Sequence, residues 1–157
     1  MPMAVDSLPN SEDCNCYAVR AAARHVTQYY DQFLAPTRLR TTQFSILAKL
    51  KRRGPLAISV LADEMAMDRT TLGRNILPLQ RDRLIRIEPA PSDRRMKVLR
   101  LTKAGEKRFE AARRGWTAAQ TRFEKVFGMA RAAELRALLR AVVASDLVHQ
   151  ATEAGAE

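Results

Sequence analysis

Two cysteines, two histidines and six glycines leave this 157-residue chain short of the usual means of catalysis and metal binding. No glycine-rich phosphate loop, no Ser or Cys nucleophile elbow and no metal-ligand cluster can be read from it. Cys14 and Cys16 make a poor zinc set, because His25 and His149 lie far from each other in sequence. A chain of this kind is expected to be neither an enzyme nor a holder of a cofactor or metal. No stretch approaches the roughly 20 consecutive apolar residues that span a bilayer. The opening MPMAVDSLPNSED lacks the basic start and apolar run of a signal peptide. The expectation is a cytoplasmic protein that does not engage a membrane. In that compartment the two cysteines are thiols instead of a structural disulfide. Repeats and low-complexity tracts are also absent.

What the chain does have is positive charge. The formal net charge is +10 and the pI about 10.4. Apolar residues make up 46%, enough for an ordinary core, so disorder is excluded by composition. The length fits one domain, with room for an added oligomerisation element. A basic excess of this size suits a polyanionic partner such as nucleic acid or an anionic membrane surface, or simply a very soluble protein, and charge alone does not choose between them. Between Glu64 and Lys107 eleven Lys or Arg face six acidic residues, and most of those cations follow Asp68.

Residues 1–12 read as a flexible arm. Over 13–36 the apolar residues Cys14, Ala18, Ala21, Ala22, Val26, Tyr29, Tyr30 and Phe33 recur at helical spacing, and Pro36 stops the run. Thr41 or Thr42 can cap a second helix that buries Phe44, Leu47 and Leu50 and ends at Gly54-Pro55. Val98, Arg100 and Thr102 alternate with Leu99 and Leu101 as a strand does, and Leu84–Glu88 fits as its hairpin partner. After Thr102 the residues Phe109, Ala112, Trp116, Ala119, Phe123 and Val126 step by three and four. Gly128 interrupts this seam, and Leu135, Leu138, Leu139, Val142, Val143 and Leu147 form a second. Two long amphipathic helices closing a small chain predict a helical homodimer interface.

The densest constellation runs from Ile58 to Ile76. A helix-turn-helix needs a small residue where its helices touch and apolar anchors on both sides of a tight turn. Leu61, Ala62, Met65, Ala66, Met67, Leu72 and Ile76 meet that need. Asp68 can cap the second helix by accepting from the backbone N–H of Thr70 or Thr71. With Leu72 and Ile76 inside, Arg69, Thr70, Thr71, Arg74 and Asn75 are left on the exposed first turns. Such side chains can read a DNA major groove: Arg pairs with guanine, Asn with adenine, and Thr offers a hydroxyl or a methyl. Pro78, later in the same helix, removes the bond to the Arg74 carbonyl beyond these turns.

Two segments, RTTLGRNILPLQRDRLI and SDRRMKVLRLTKAG, resemble the recognition helix and wing of the MarR family of winged helix-turn-helix transcription regulators. The second carries the family's Asp-x-Arg followed by an LT that opens the next helix. The resemblance runs from about Asp13 to Leu147. It implies a mainly α (α+β) fold: a winged helix-turn-helix lobe over 37–103 with a two-stranded β-wing, and an intertwined homodimer interface from the helices of 13–36 and 104–150. A tail, 151–157, would follow. Two departures stand out: Gly73 lies where a larger residue is usual, and Arg83 replaces a common glycine.

By the same resemblance, Arg95 would enter the minor groove and Asp93 would hold its guanidinium. A narrow minor groove concentrates negative potential, which suits an Arg. Arg94 and Lys97 would meet phosphates. The implied partners are double-stranded DNA with a palindromic operator, a second copy of the chain, and a small aromatic or phenolic anionic effector that releases a repressor. Arg24, His25, Tyr29 and Trp116 are candidate lining residues for that effector. An alternative comes from CNCYAVRAAAR, which resembles the first helix of the hydroperoxide-sensing branch. Cys16 falls on its reactive cysteine and Tyr30 on one of two tyrosines that, from the partner subunit, bond the thiol. Thr41 stands where the second belongs. If both were helical, Cys14 and Cys16 would point about 200° apart. A more distant alternative is a module that binds protein and no DNA.

Overall fold

The structure, a computed structural model, describes residues 10–148. Residues 1–9 of the expected arm, His149 and the tail from 151 lie outside the described residues. Among the described residues six α-helices, two short 3-10 turns and a three-stranded sheet make up the fold: α1 (Asn15–Leu34), α2 (Thr41–Arg53), β1 (Leu56–Ala57), α3 (Ile58–Glu64), α4 (Arg69–Arg81), β2 (Ile85–Pro89), β3 (Lys97–Leu101), α5 (Lys103–Phe127) and α6 (Met129–Ala144). This is the winged helix-turn-helix expected from the sequence.

The start of α2 differs from expectation. Thr41 is its first helical residue, so neither threonine is the cap. One oxygen of Asp31, near the end of α1, accepts from both the Thr41 backbone N–H and its hydroxyl, each at 2.7 Å. Gln43 closes the same turn by accepting from the Arg40 N–H at 3.0 Å. A carboxylate distant along the chain thus satisfies donors that a local hydroxyl was expected to take. On its other face α2 buries Phe44, Ile46, Leu47 and Leu50.

One core holds the lobe together. Leu34 and Leu47 meet Leu61, Leu72 and Leu79 from the helix-turn-helix, Leu84 and Leu99 from the wing base, and Phe109 from α5. The sheet order is β1-β3-β2 with antiparallel pairs. β1 escapes sequence pattern because two residues carry no periodicity. Its partner is β3, with Leu56 opposite Leu99. The first wing strand begins one residue later than expected, since the Leu84 N–H turns back to the Leu79 carbonyl at 2.9 Å. Arg83, in the family's glycine position, takes a left-handed φ of 57°.

Thr102 locks the wing to α5. Its Oγ1 accepts from the Gly105 N–H at 3.0 Å and donates to the Arg83 carbonyl at 2.7 Å. Further along, α5 lies against α1, where the Tyr29 hydroxyl donates to the Ala119 carbonyl at 3.0 Å. The seam of α5 is corrected at its end: Val126 is 81% exposed, and Phe127 turns inward beside Phe123, with the Arg131 guanidinium 4.4 Å from its ring centre. A step of four from 123 keeps the face of a 3.6-residue helix that a step of three begins to leave. Gly128 (φ 101°) makes the break before α6. Along α6 only Ala132 is buried; Leu138, Leu139, Val142 and Val143 are exposed in the single chain.

Candidate nucleic-acid interface

The site is built on α4. Asp68 caps it by accepting from the Thr71 N–H at 2.8 Å, while the Thr71 hydroxyl donates to its other oxygen at 2.7 Å. Those two bonds hold the Asp68 carboxyl below its ordinary pKa. Leu72, Ile76 and Leu79 fasten the inner face to the core. Arg69, Thr70, Thr71 and Arg74 are exposed, and Asn75 is half-buried. The five candidate readers therefore divide. Arg69, Thr70 and Arg74 extend from the helix, whereas Thr71 is tied to the cap and the Asn75 amide donates to the Thr71 carbonyl at 2.9 Å.

The wing is the β2–β3 hairpin, in register from Ile85 opposite Leu101 to Pro89 opposite Lys97. Its tip is closed by the Ala90 N–H donating to the Met96 carbonyl at 2.8 Å and the Met96 N–H to the Asp93 carbonyl at 3.0 Å. Asp93 departs from its expected role. Its carboxylate accepts from the Arg95 backbone N–H at 2.9 Å and makes no ion pair with the Arg95 guanidinium. An aspartate two residues before an amide readily closes such a local turn, so the side chain shapes the tip instead of aiming the arginine.

Cations on this face fall into two groups. Glu88 pairs with Arg100 and, at 3.0 Å, with Arg86, while Asp82 pairs with Arg81 at 3.2 Å. The hydrogen bond from Arg100 is the main reason the Glu88 carboxyl lies below its ordinary pKa. By contrast, no ion pair among the described residues engages Arg69, Arg74, Arg94, Arg95 or Lys97. Their charge is left for an external anion. Arg69 and Lys97 come together at a cleft of about 250 Å³ that Ser59 and Met96 also line, so the start of α4 and the wing frame one surface. Ser59 and Met96 carried no sequence signal, being a single hydroxyl and a single exposed methionine. Exposed Leu77 was likewise missed.

The candidate effector residues have different settings in the single chain. Arg24 and His25 are exposed on α1. Tyr29 is held by Ala119, and Trp116 stacks on Phe44 with ring centres 6.0 Å apart. A cleft of about 520 Å³ lies elsewhere, between the α1–α2 connection, the end of α4 and the start of α5, and is lined by Arg38, Asp82, Lys107 and Arg108 among others. Its cations are scattered along the sequence, which is why no local pattern announced them.

Both redox candidates lie on α1, Cys16 near its start and Tyr30 near its end. Cys14 and Cys16 are both exposed. The helix begins at Asn15, so Cys14 is its cap, with Sγ 3.5 Å from the Tyr17 N–H, and the angle expected of two helical cysteines does not apply. Tyr30 donates its hydroxyl to Gln120 at 2.5 Å within its own chain. Burial, followed by the neighbouring Tyr29 and Glu124, raises its pKa.

Known proteins share this arrangement. The family model described as MarR family matches residues 39–97, the helix-turn-helix and most of the wing. The Mycobacterium tuberculosis transcriptional regulator MosR, in a crystal structure with DNA, is 33% identical over 90% of this chain and 98% of that one, with a TM-score of 0.75. A second MosR structure is 32% identical over 87% of this chain and 100% of that one, with a TM-score of 0.73. The Pseudomonas putida HTH-type transcriptional repressor NicR is 28% identical over 89 residues, 57% of this chain; the match spans 56% of NicR, little more than half its length. Bordetella bronchiseptica BpsR shares the fold, with a TM-score of 0.78 at 20% identity over 89% of this chain and 100% of that one. With its capped recognition helix, its wing and its unpaired cations, this chain belongs to the MarR family of DNA-binding transcription regulators.

Proposed function

We propose that the protein is a homodimeric repressor of a palindromic operator, released by a small aromatic anion. One observation carries the reading: the start of α4 and the wing present a group of cations that no ion pair among the described residues engages, and α6 presents an exposed apolar row. Arg69, Arg74, Arg94, Arg95 and Lys97 belong to the helix-turn-helix and wing. The exposed row Leu138, Leu139, Val142 and Val143 belongs to α6. Beside that row, Val19, Val26, Phe123, Leu135 and Leu139 line an apolar groove of about 340 Å³ between α1, α5 and α6. A second copy on this surface sets two recognition helices against half-sites one helical turn apart.

Arg69, Thr70 and Arg74 face base edges, with Thr71 and Asn75 beside them; Arg95 enters the minor groove, and Arg94 and Lys97 meet phosphate. The effector's acidic group is received by Arg38, Lys107 and Arg108 in the cleft between the dimer helices and the DNA-binding lobe. This replaces the expected set of Arg24, His25, Tyr29 and Trp116. The DNA binding of BpsR is regulated by 6-hydroxynicotinic acid, an anion of this class.

Exposure of Cys16 supports a second reading, thiol-based release by hydroperoxide. Against it, Tyr30 is already engaged by Gln120, and Thr41 is held by Asp31. Sedimentation together with selection of bound duplexes from a random pool tests the main reading. The expected result is a dimer that enriches an inverted repeat and releases it on adding an aromatic acid. A monomer, or a pool without enrichment, overturns it. Release by hydroperoxide alone selects the thiol reading.

A further inference from the structure

Three glycines lie inside helices among the described residues, and two have plain structural reasons. A Cβ at Gly105 would fall 2.0 Å from the Leu84 carbonyl oxygen, and one at Gly115 would fall 2.4 Å from that of Phe33. At each place another segment's backbone occupies the space of a side chain. Gly73 has no such neighbour: a Cβ there meets nothing within 4 Å, and its backbone is not left-handed. A mid-helix glycine weakens the helix it sits in. Packing among the described residues does not account for it, and the space beside it is open to another molecule.

Its surroundings indicate what that contact is. Three residues before Gly73 stands Thr70 and four after it Leu77, so both lie beside it on the helix surface. Thr70 is exposed, and Leu77 is 63% exposed on a helix whose outward side is otherwise polar or cationic. By helical spacing Thr70, Gly73 and Leu77 share one side of the helix next to Arg74, with a methyl-bearing and an aliphatic residue on either side of the bare Cα along the axis. In the major groove the apolar group on a base edge is the thymine C5-methyl.

We propose that Gly73 is the seat of a thymine methyl in the operator, with Thr70 and Leu77 as its walls, which makes Gly73 a specificity-determining position. The inference rests on the reading of α4 as the recognition helix. A bare Cα lets the helix backbone come against the base edge, and any side chain holds it away.

The test uses the full chain and the duplex it selects from a random pool. Affinity is measured for the wild type, Gly73→Ala and Arg74→Ala, on that duplex and on copies in which each thymine in turn is replaced by deoxyuridine, which removes the methyl alone. One deoxyuridine position per half-site is expected to weaken the wild type about fourfold, the equivalent of one buried methyl. Gly73→Ala is expected to bind about tenfold more weakly, a loss on the scale of one mismatched base pair, and to ignore that same methyl. Its melting temperature should be higher than that of the wild type, so lost folding cannot explain lost binding. Wild-type binding indifferent to every deoxyuridine, or wild-type affinity in Gly73→Ala, overturns the thymine seat. If Arg74→Ala is weakened in that case, the recognition-helix reading stands without the seat. If Arg74→Ala also binds as the wild type does, that reading falls as well.

Discussion

The Asp93 carboxylate meets Arg95 at its backbone N–H, 2.9 Å away, and leaves the guanidinium without an ion-pair partner. The pair is thus a turn closure followed by a free cation. An amide can replace a carboxylate as hydrogen-bond acceptor but not as a counter-charge. Asp93→Asn is therefore expected to keep wild-type affinity for the operator within about twofold, the scale of a weak exposed interaction. Asp93→Ala opens the tip and binds more weakly, and Arg95→Ala more weakly still. Anisotropy titrations at one fixed salt concentration decide it. If Asp93→Asn loses as much as Arg95→Ala, the carboxylate acts on the guanidinium after all.

Arg83 sits at φ 57° between α4 and the wing. That conformation costs an L-residue about 1–2 kcal/mol, and glycine avoids the clash at some cost in chain entropy. Arg83→Gly should stabilise the protein by about 1 kcal/mol, seen as a rise of roughly 2–4 °C in melting temperature. An unchanged or lower melting temperature would show that the arginine is held there by favourable contacts.

The opposite result is expected at Gly115. An alanine methyl there would sit 2.4 Å from the Phe33 carbonyl oxygen, so α1 and α5 would have to move apart. Gly115→Ala should cost about 1–3 kcal/mol, the usual range for overpacking. Thermal melts of Gly115→Ala and Gly73→Ala side by side should shift in opposite directions.

Acid stability should depend on Asp31. Burial raises its pKa, but hydrogen bonds from the Thr41 hydroxyl and amide, and from Arg40, outweigh this and leave it below the ordinary 3.8. A group depressed in the folded state stabilises the protein above its unfolded pKa, and that contribution is lost as pH falls through the folded value. Stability should decline below about pH 4, a range set by the reference carboxylate value. Asp31→Asn should be less stable at neutral pH and show a shallower acid limb in denaturant melts. An acid limb as steep as that of the wild type would remove Asp31 from the account.

DNA affinity should fall steeply with salt. If Arg94 and Lys97 each neutralise one phosphate, replacing either by Ala reduces the log–log salt slope by about 1. A slope unchanged in both variants would return them to the role of solvated hairpin cations.

The helix-turn-helix was legible because its signals are local. Asp68 stands immediately before α4, and Leu72 and Ile76 recur at the helical period. The wing was legible from the strand pattern about Leu99 and Leu101 and its hairpin partner Leu84–Glu88, although Val98 and Leu99 are both buried. Features that join distant segments were not. The cap of α2 comes from Asp31, ten residues upstream of Thr41, and β1 acquires its identity only by lying beside Leu99. The stacking of Trp116 on Phe44 depends on how α2 and α5 cross, which no local pattern shows.

Composition, period and capping thus specified the long helices, the two wing strands and where the cations would cluster, since each of these depends on residues within a turn or two of one another. Which cations stay unpaired was settled by folding: Glu88, opposite Val98, reaches Arg100 diagonally only once the hairpin forms, and Arg94, Arg95 and Lys97 are left without partners among the described residues. The same holds for the glycines. Sequence alone does not distinguish Gly73 from Gly115; the difference is whether another backbone has come to fill the space beside it.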